Sequence, residues 1–228
     1  MTDAFSYKDA KNWGKKYPQC NGKNQSPIMV IAESGGDYFQ RIDKRLKLTD
    51  FQTLPTKMTI KNTGHTVEIE AEWPGKLPRL TGGPLHGNYV FEKATFLWAP
   101  KPTLDSAQEP EHFFDELEKN LHKVQSINST AVTPPMRLTS LVDDSSPHFL
   151  FYKGSLDYPP CSESVTWFTY IPTIYVRSKL VNEFRKIKLA EGDVTNVRPV
   201  QPGLPLGKIQ CNWYILGFPD VRSSTGTG

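Results

Sequence analysis

Metal chemistry needs imidazoles, thiolates or carboxylates at ligand spacing, so the histidines are the first residues to test. There are five, His65, His86, His112, His122 and His148, and none falls in an HxH, HxxxH or CxxC pattern. His112 and His122 stand ten positions apart, nearly three helical turns, too far for one ion. Asp143-Asp144 reads as a solvated turn rather than a ligand pair. No Gly-rich phosphate loop and no Gly-x-Ser-x-Gly elbow occurs. The cysteines are Cys20, Cys161 and Cys211, so at least one stays outside any internal pairing. Asn128-Ser129-Thr130 is an acceptor sequon for N-glycosylation on an expected surface loop.

The elements that must position these groups are mainly strands. Met58-Thr59-Ile60 and Thr66-Val67-Glu68-Ile69-Glu70 alternate with period two around Asn62-Thr63-Gly64. Leu80 to Gly87 is a Gly/Pro turn region. Tyr89 to Trp98 reads as one strand, with Phe91, Lys93, Thr95 and Leu97 on one face. Glu111 to Val124 has helical period, with Phe113, Phe114, Leu117, Leu121 and Val124 on one side and Pro110 suited to the first turn. Ser164–Tyr170 and Thr173–Val176 read as strands. A second helix is expected from Ser178, as N-cap, through Leu180, Val181, Phe184 and Ile187. The expectation is a mainly β protein, one large sheet with helices on its periphery.

Bulk properties bound the function classes. With 228 residues, the chain is one domain or at most two and is long enough for a sizeable core. The single domain is placed at 1–220, with 221–228 as a flexible C-terminal tail. Twenty-seven basic against 24 acidic residues give a net charge of +3 and a pI near 8.6, without a dense Lys/Arg run. Nucleic acid is therefore not an expected partner. No apolar stretch approaches the roughly 18 residues of a membrane span. The opening Met1-Thr2-Asp3-Ala4 has no basic or apolar leader region, which fits either a cytosolic chain or a mature domain carrying a start Met.

Several strings, in order, resemble the α-class carbonic anhydrases. They are Trp13, Cys20 to Ile28 with its Gln25-Ser26-Pro27 turn, Asn62 to Val67, Gly82 to Tyr89, Tyr152 to Leu156, Pro159 to Trp167, Phe184-Arg185-Lys186 and Asn196 to Pro202. The resemblance implies a large, twisted, mostly antiparallel sheet with a conical cleft. It also implies a Zn²⁺ held by three histidines, whose bound hydroxide attacks CO₂.

The sequence departs from that pattern where the chemistry sits. The family's His-x-His before a Trp is here Thr95-Phe96-Leu97-Trp98. Leu97 has no donor atom, and a neutral Thr95 hydroxyl is a poor zinc ligand beside imidazole. The third ligand's strand has no counterpart, which predicts an internal deletion after Trp98. A rival alignment places Leu121-His122-Lys123-Val124 on that strand, against its helical period. The threonine that orients the hydroxide is replaced by Asp157, a charged acceptor at neutral pH that would repel bicarbonate, and Tyr158 would crowd the cleft. His65 matches the proton-relay position but has no metal-bound water to serve.

The expected reading is a non-catalytic relative with no metal and no cofactor. His65, Lys93, Thr95, Leu97, Asp157 and Tyr158 line its vestigial cleft. Cys20 and Cys161 fall where secreted members carry a disulfide; the alternative is two buried thiols. A bridge implies an extracellular or secretory setting. Asn24-Gln25-Ser26, a second sequon, belongs to the family's structural turn. Cys211 and the apolar segment from Ile209 through Trp213, Tyr214, Ile215, Leu216 and Phe218 either pack over uncovered surface or link copies. The expected role is an interaction module for a protein, glycan or mineral matrix. The alternatives are an enzyme, either with a rebuilt metal site and dehydratase-like chemistry or using Asp157, His65 and Tyr158, and a structural subunit of a larger assembly.

Overall fold

The computed structural model describes residues 4–29, 39–41, 45–99, 112–142, 149–170, 176–203 and 209–211. Its strands, in chain order, are β1 (Phe39–Arg41), β2 (Leu46–Thr49), β3 (Lys57–Asn62), β4 (Val67–Glu72), β5 (Arg79–Gly82), β6 (Tyr89–Val90), β7 (Lys93–Phe96), β8 (Thr130–Thr133), β9 (Phe149–Gly154), β10 (Val165–Tyr170) and β11 (Ile209–Cys211). The helices are α1 (Trp13–Lys16), α2 (His112–Leu121) and α3 (Ser178–Arg185). No helix among the described residues is long and apolar enough to cross a membrane.

The predicted class holds: among the described residues strands dominate, helices are short, and the named strands pair antiparallel except β1 with β11, with one further parallel bridge between Ile28 and Gln201. Hydrogen bonding divides the described strands into three sheets, ordered β1-β11-β9-β10, β2-β5-β6 and β7-β4-β3-β8. The third sheet carries the main core. Alternation in β3 and β4 turns Met58, Ile60, Val67 and Ile69 inward, all at most 1% exposed. Against them pack Leu117 and Leu121 of α2, Val124 of the following 3₁₀ turn, and Leu180 and Phe184 of α3. Period two on the sheet thus meets period 3.6 on the helices. Ion pairs from Arg177 to Asp115 (3.0 Å) and Lys179 to Glu118 (2.6 Å) tie α3 to α2 at the surface.

Several expectations change. The strand expected from Tyr89 to Trp98 breaks at Phe91–Glu92 into β6 and β7, which belong to different sheets. The Phe91 N–H donates to Pro78 O (2.9 Å) and its ring sits edge-on to Trp73. β5 runs to Gly82, so the turn expected from Leu80 begins later. Ser178 is the first helical residue of α3 and Arg177 is the N-cap, without a capping side-chain bond. Leu121–Val124 closes α2 and forms a 3₁₀ turn, with Leu121 and Val124 fully buried three positions apart, so the rival strand alignment fails. Pro110, Asp143-Asp144, His148, most of Thr173–Val176, the apolar segment beyond Cys211 and the tail 221–228 lie outside the described residues, as do the side chains of His112, Phe113 and Cys211.

Candidate functional site

β7 sets the geometry of the open side of its sheet. Ala94 and Phe96 turn toward the core, so Lys93, Thr95 and, just past the strand, Leu97 face solvent; Leu97 is 50% exposed. On β4, Glu68 is registered opposite Thr95. Lys93 Nζ donates to Glu68 Oε1 at 2.8 Å, and this bond holds the ammonium above its usual range.

His65 rides on the β3–β4 turn. Asn62 wedges that turn: its Nδ2 donates to Val124 O and Lys188 O, and its Oδ1 accepts from Gly64 N–H (2.8 Å). Gly64 takes φ +87, which a residue with a Cβ rarely adopts. The His65 ring stacks on Phe5, centroids 4.0 Å apart, and its Nδ1 finds no partner among the described residues. Burial lowers its pKa, while the charges of Asp193 and Glu191 oppose the shift. Asp193 in turn accepts from Ser6 Oγ, Tyr7 N–H and Lys8 N–H, which docks the N-terminal segment beside His65.

Asp157 and Tyr158 follow β9 on a loop closed by Leu156 N–H to Ser162 O and Cys161 N–H to Tyr158 O. Burial raises the Asp157 pKa, offset in part by its own backbone N–H and by Arg198. Its charge reaches Tyr7, whose hydroxyl is held far above its ordinary range, chiefly by burial. Tyr158 is 38% exposed. Arg198 donates to Gln25 Oε1 (2.9 Å), Ser26 O (2.9 Å) and Cys20 O (3.3 Å), and lies over the Trp13 ring. Cys20 and Cys161 are joined in a disulfide, Cα atoms 4.9 Å apart. Asn128 is exposed in a left-handed turn before β8, its N–H donating to Asn62 O.

The six cleft candidates therefore fall into three groups. Lys93, Thr95 and Leu97 share one strand face. Tyr158 lies within electrostatic reach of both Lys93 and Tyr7. His65 answers to Asp193 and Glu191, whereas Asp157 answers to Arg198. Glu68, Tyr7, Phe5 and Asp193 were not foreseen. Only Glu68 carried a signal, since alternation with Val67 and Ile69 puts it on the solvent face. Among the described residues no group of three or more His, Cys, Asp or Glu is placed to hold a metal ion. His86 and His122 are exposed and stand apart from these residues in the chain.

The sequence model of the eukaryotic-type carbonic anhydrases matches residues 8–108 and 102–204. This chain belongs to the carbonic anhydrase family. Carbonic anhydrase 7 of Mus musculus is 26% identical over 240 residues, covering 84% of this chain and 89% of that protein. Receptor-type tyrosine-protein phosphatase zeta of Homo sapiens is 25% identical over 228 residues, covering 78% of this chain and 10% of the receptor. Carbonic anhydrase 6 of Mus musculus is 24% identical over 199 residues, covering 68% of this chain and 62% of that protein. The family match comes in two stretches that overlap at residues 102–108. The alignment to carbonic anhydrase 7, at 240 residues, is longer than the 84% of this 228-residue chain that it covers.

Proposed function

We propose that this carbonic anhydrase-family chain has no hydratase chemistry and serves as an extracellular interaction module. The observation that carries the reading is the solvent face of β7. Thr95 and Leu97 occupy the positions that precede Trp98, and neither offers an imidazole. This donor set does not fit zinc: one hydroxyl and one alkyl group cannot replace the nitrogen ligands of a tetrahedral site. Asp157 deepens the mismatch, because a carboxylate beside the cleft repels an anionic product. The Lys93–Glu68 ion pair lies against the same face. The disulfide argues for an oxidising compartment, and similarity to a stretch of a receptor-type phosphatase fits that setting. A protein, glycan or matrix surface is the partner class this reading implies, and Asn128 is its glycan site. The enzyme alternative is weaker, since His65 and Asp157 answer to different partners.

The deciding experiment measures metal in the purified chain by elemental mass spectrometry, after zinc loading and desalting. We expect less than about a tenth of a zinc per chain, against one for a complete three-histidine site, and no CO₂ hydration above buffer. Near-stoichiometric zinc would sink the reading.

A further inference from the structure

Among the described residues, β7 pairs only with β4 and β10 only with β9, so each ends a four-stranded sheet. An open edge offers a row of backbone N–H and C=O groups to any strand that reaches it. Soluble proteins blunt such edges with charge, proline, shortness or cover. The edges of this molecule differ in that defence. β7 has four residues and opens on the charged Lys93, and Phe96 O already accepts from Thr66 Oγ1 (2.7 Å) and Asn196 Nδ2 (2.8 Å). β8, at the far side of the same sheet, has four residues and runs into Pro134-Pro135. β6 has two.

Within its own span β10 has none of these devices, and no other described strand covers its outer edge; the nearest proline, Pro172, comes two residues after it. Its six residues, Val165-Thr166-Trp167-Phe168-Thr169-Tyr170, include no charge, no glycine and no proline. They are β-branched or aromatic throughout, the types that fit a pleated surface best. The strand is firmly held from behind. Phe168 packs on Phe149 (5.3 Å) and Phe151 (5.8 Å), and the Trp167 indole donates to Ser155 O (2.8 Å). Val165 through Phe168 are nonetheless only half-buried, and Thr169 is exposed.

We propose that β10 pairs antiparallel with β10 of a second copy of this chain, joining two four-stranded sheets into one. A two-fold axis perpendicular to the sheet must set one residue opposite itself and keep each side chain on its own face. Centring on Trp167 keeps every facing pair within Ser164–Tyr170. Thr166 then faces Phe168 of the second copy, and Val165 faces its Thr169. No charge is opposed or buried in that register, so the strand is its own complement. Cross-strand pairs of aromatic and β-branched residues are the favourable kind.

The test is the solution mass of the full chain by light scattering, with Cys211 alkylated so that no intermolecular disulfide contributes. A roughly hundredfold dilution series is needed because self-association depends on protomer concentration. We expect twice the 25.8 kDa of one chain at the upper end. Val165→Lys with Thr169→Lys puts lysine opposite lysine twice and should give the single-chain mass. Val165→Lys with Thr169→Glu puts opposite charges at the same places and should restore the doubled mass. Circular dichroism checks that both variants fold. A wild-type chain that stays single at every concentration overturns the proposal. So does a doubled mass that ignores both variants, or one lost equally in both while they remain folded. If the variants unfold, hydrogen exchange of the wild type decides. Protection of β10 amides that grows with concentration supports the pairing, and its absence defeats it.

Discussion

Asp157 shows how one side chain can work against the fold that holds it. Burial raises its pKa, and its own backbone N–H and the nearby Arg198 offset this only in part. Linkage gives the sign. Below the ordinary aspartate range, near 3.9, both folded and unfolded chains carry the proton. As pH rises the unfolded chain releases it first, so stability falls through the window up to the folded pKa and stays lower above it. Asp157→Asn should therefore raise the thermal midpoint at neutral pH, and the gain should vanish as pH falls toward 4. Melting curves of the two proteins across that range check it; equal gains at both ends would mean that ionisation is not the cause. The identity of this residue was visible in the sequence, as was the shared face of Lys93, Thr95 and Leu97; that this face is exposed was not. Tyr7 and Asp193 were not, because their roles arise from contacts across about 186 positions of chain.

At the scale of elements, α3 and β7 depend on each other. Phe184 lies 5.3 Å from the rings of both Phe96 and Trp98, and it is 7% exposed. Truncating such a side chain leaves a cavity that flanking rings fill poorly. Phe184→Ala should cost about 3–5 kcal/mol, read as a shift in the urea midpoint at unchanged slope. A loss under about 1 kcal/mol would show that the helix repacks freely. The elements legible from sequence were those whose signal is local. β3 and β4 alternate around an Asn-Thr-Gly turn, and α2 repeats its apolar residues at helical spacing. The break between β6 and β7 escaped notice because its causes, Pro78 and Trp73, sit on other segments. The division into three sheets likewise depends on pairing between distant strands, which no single window of sequence contains.

For the whole molecule, the covalent link matters most. Cys20 and Cys161 close a loop with 141 positions of separation, which in the chain-entropy model is worth about 5 kcal/mol. The bridge also sits within a small cluster of Tyr7, Ala10 and Trp13, flanked by Phe5 and Tyr17. Cys161→Ser should lower stability by roughly 2–5 kcal/mol, measured by denaturant unfolding under oxidising conditions. A change below about 1 kcal/mol would mean that the cluster holds the N-terminal segment without the bond. That segment has a further consequence for how the chain is made. Its partners are the most distant in sequence: Ser6 waits for Asp193, Ser26 for Ser155, and Cys20 for Cys161. At a synthesis rate of about 5–20 residues per second, Ser6 waits on the order of 10–40 seconds for Asp193 to be made. Throughout that interval an aromatic cluster and an unpaired thiol stand exposed on the nascent chain, where a chaperone or an oxidoreductase meets them before the rest of the domain does.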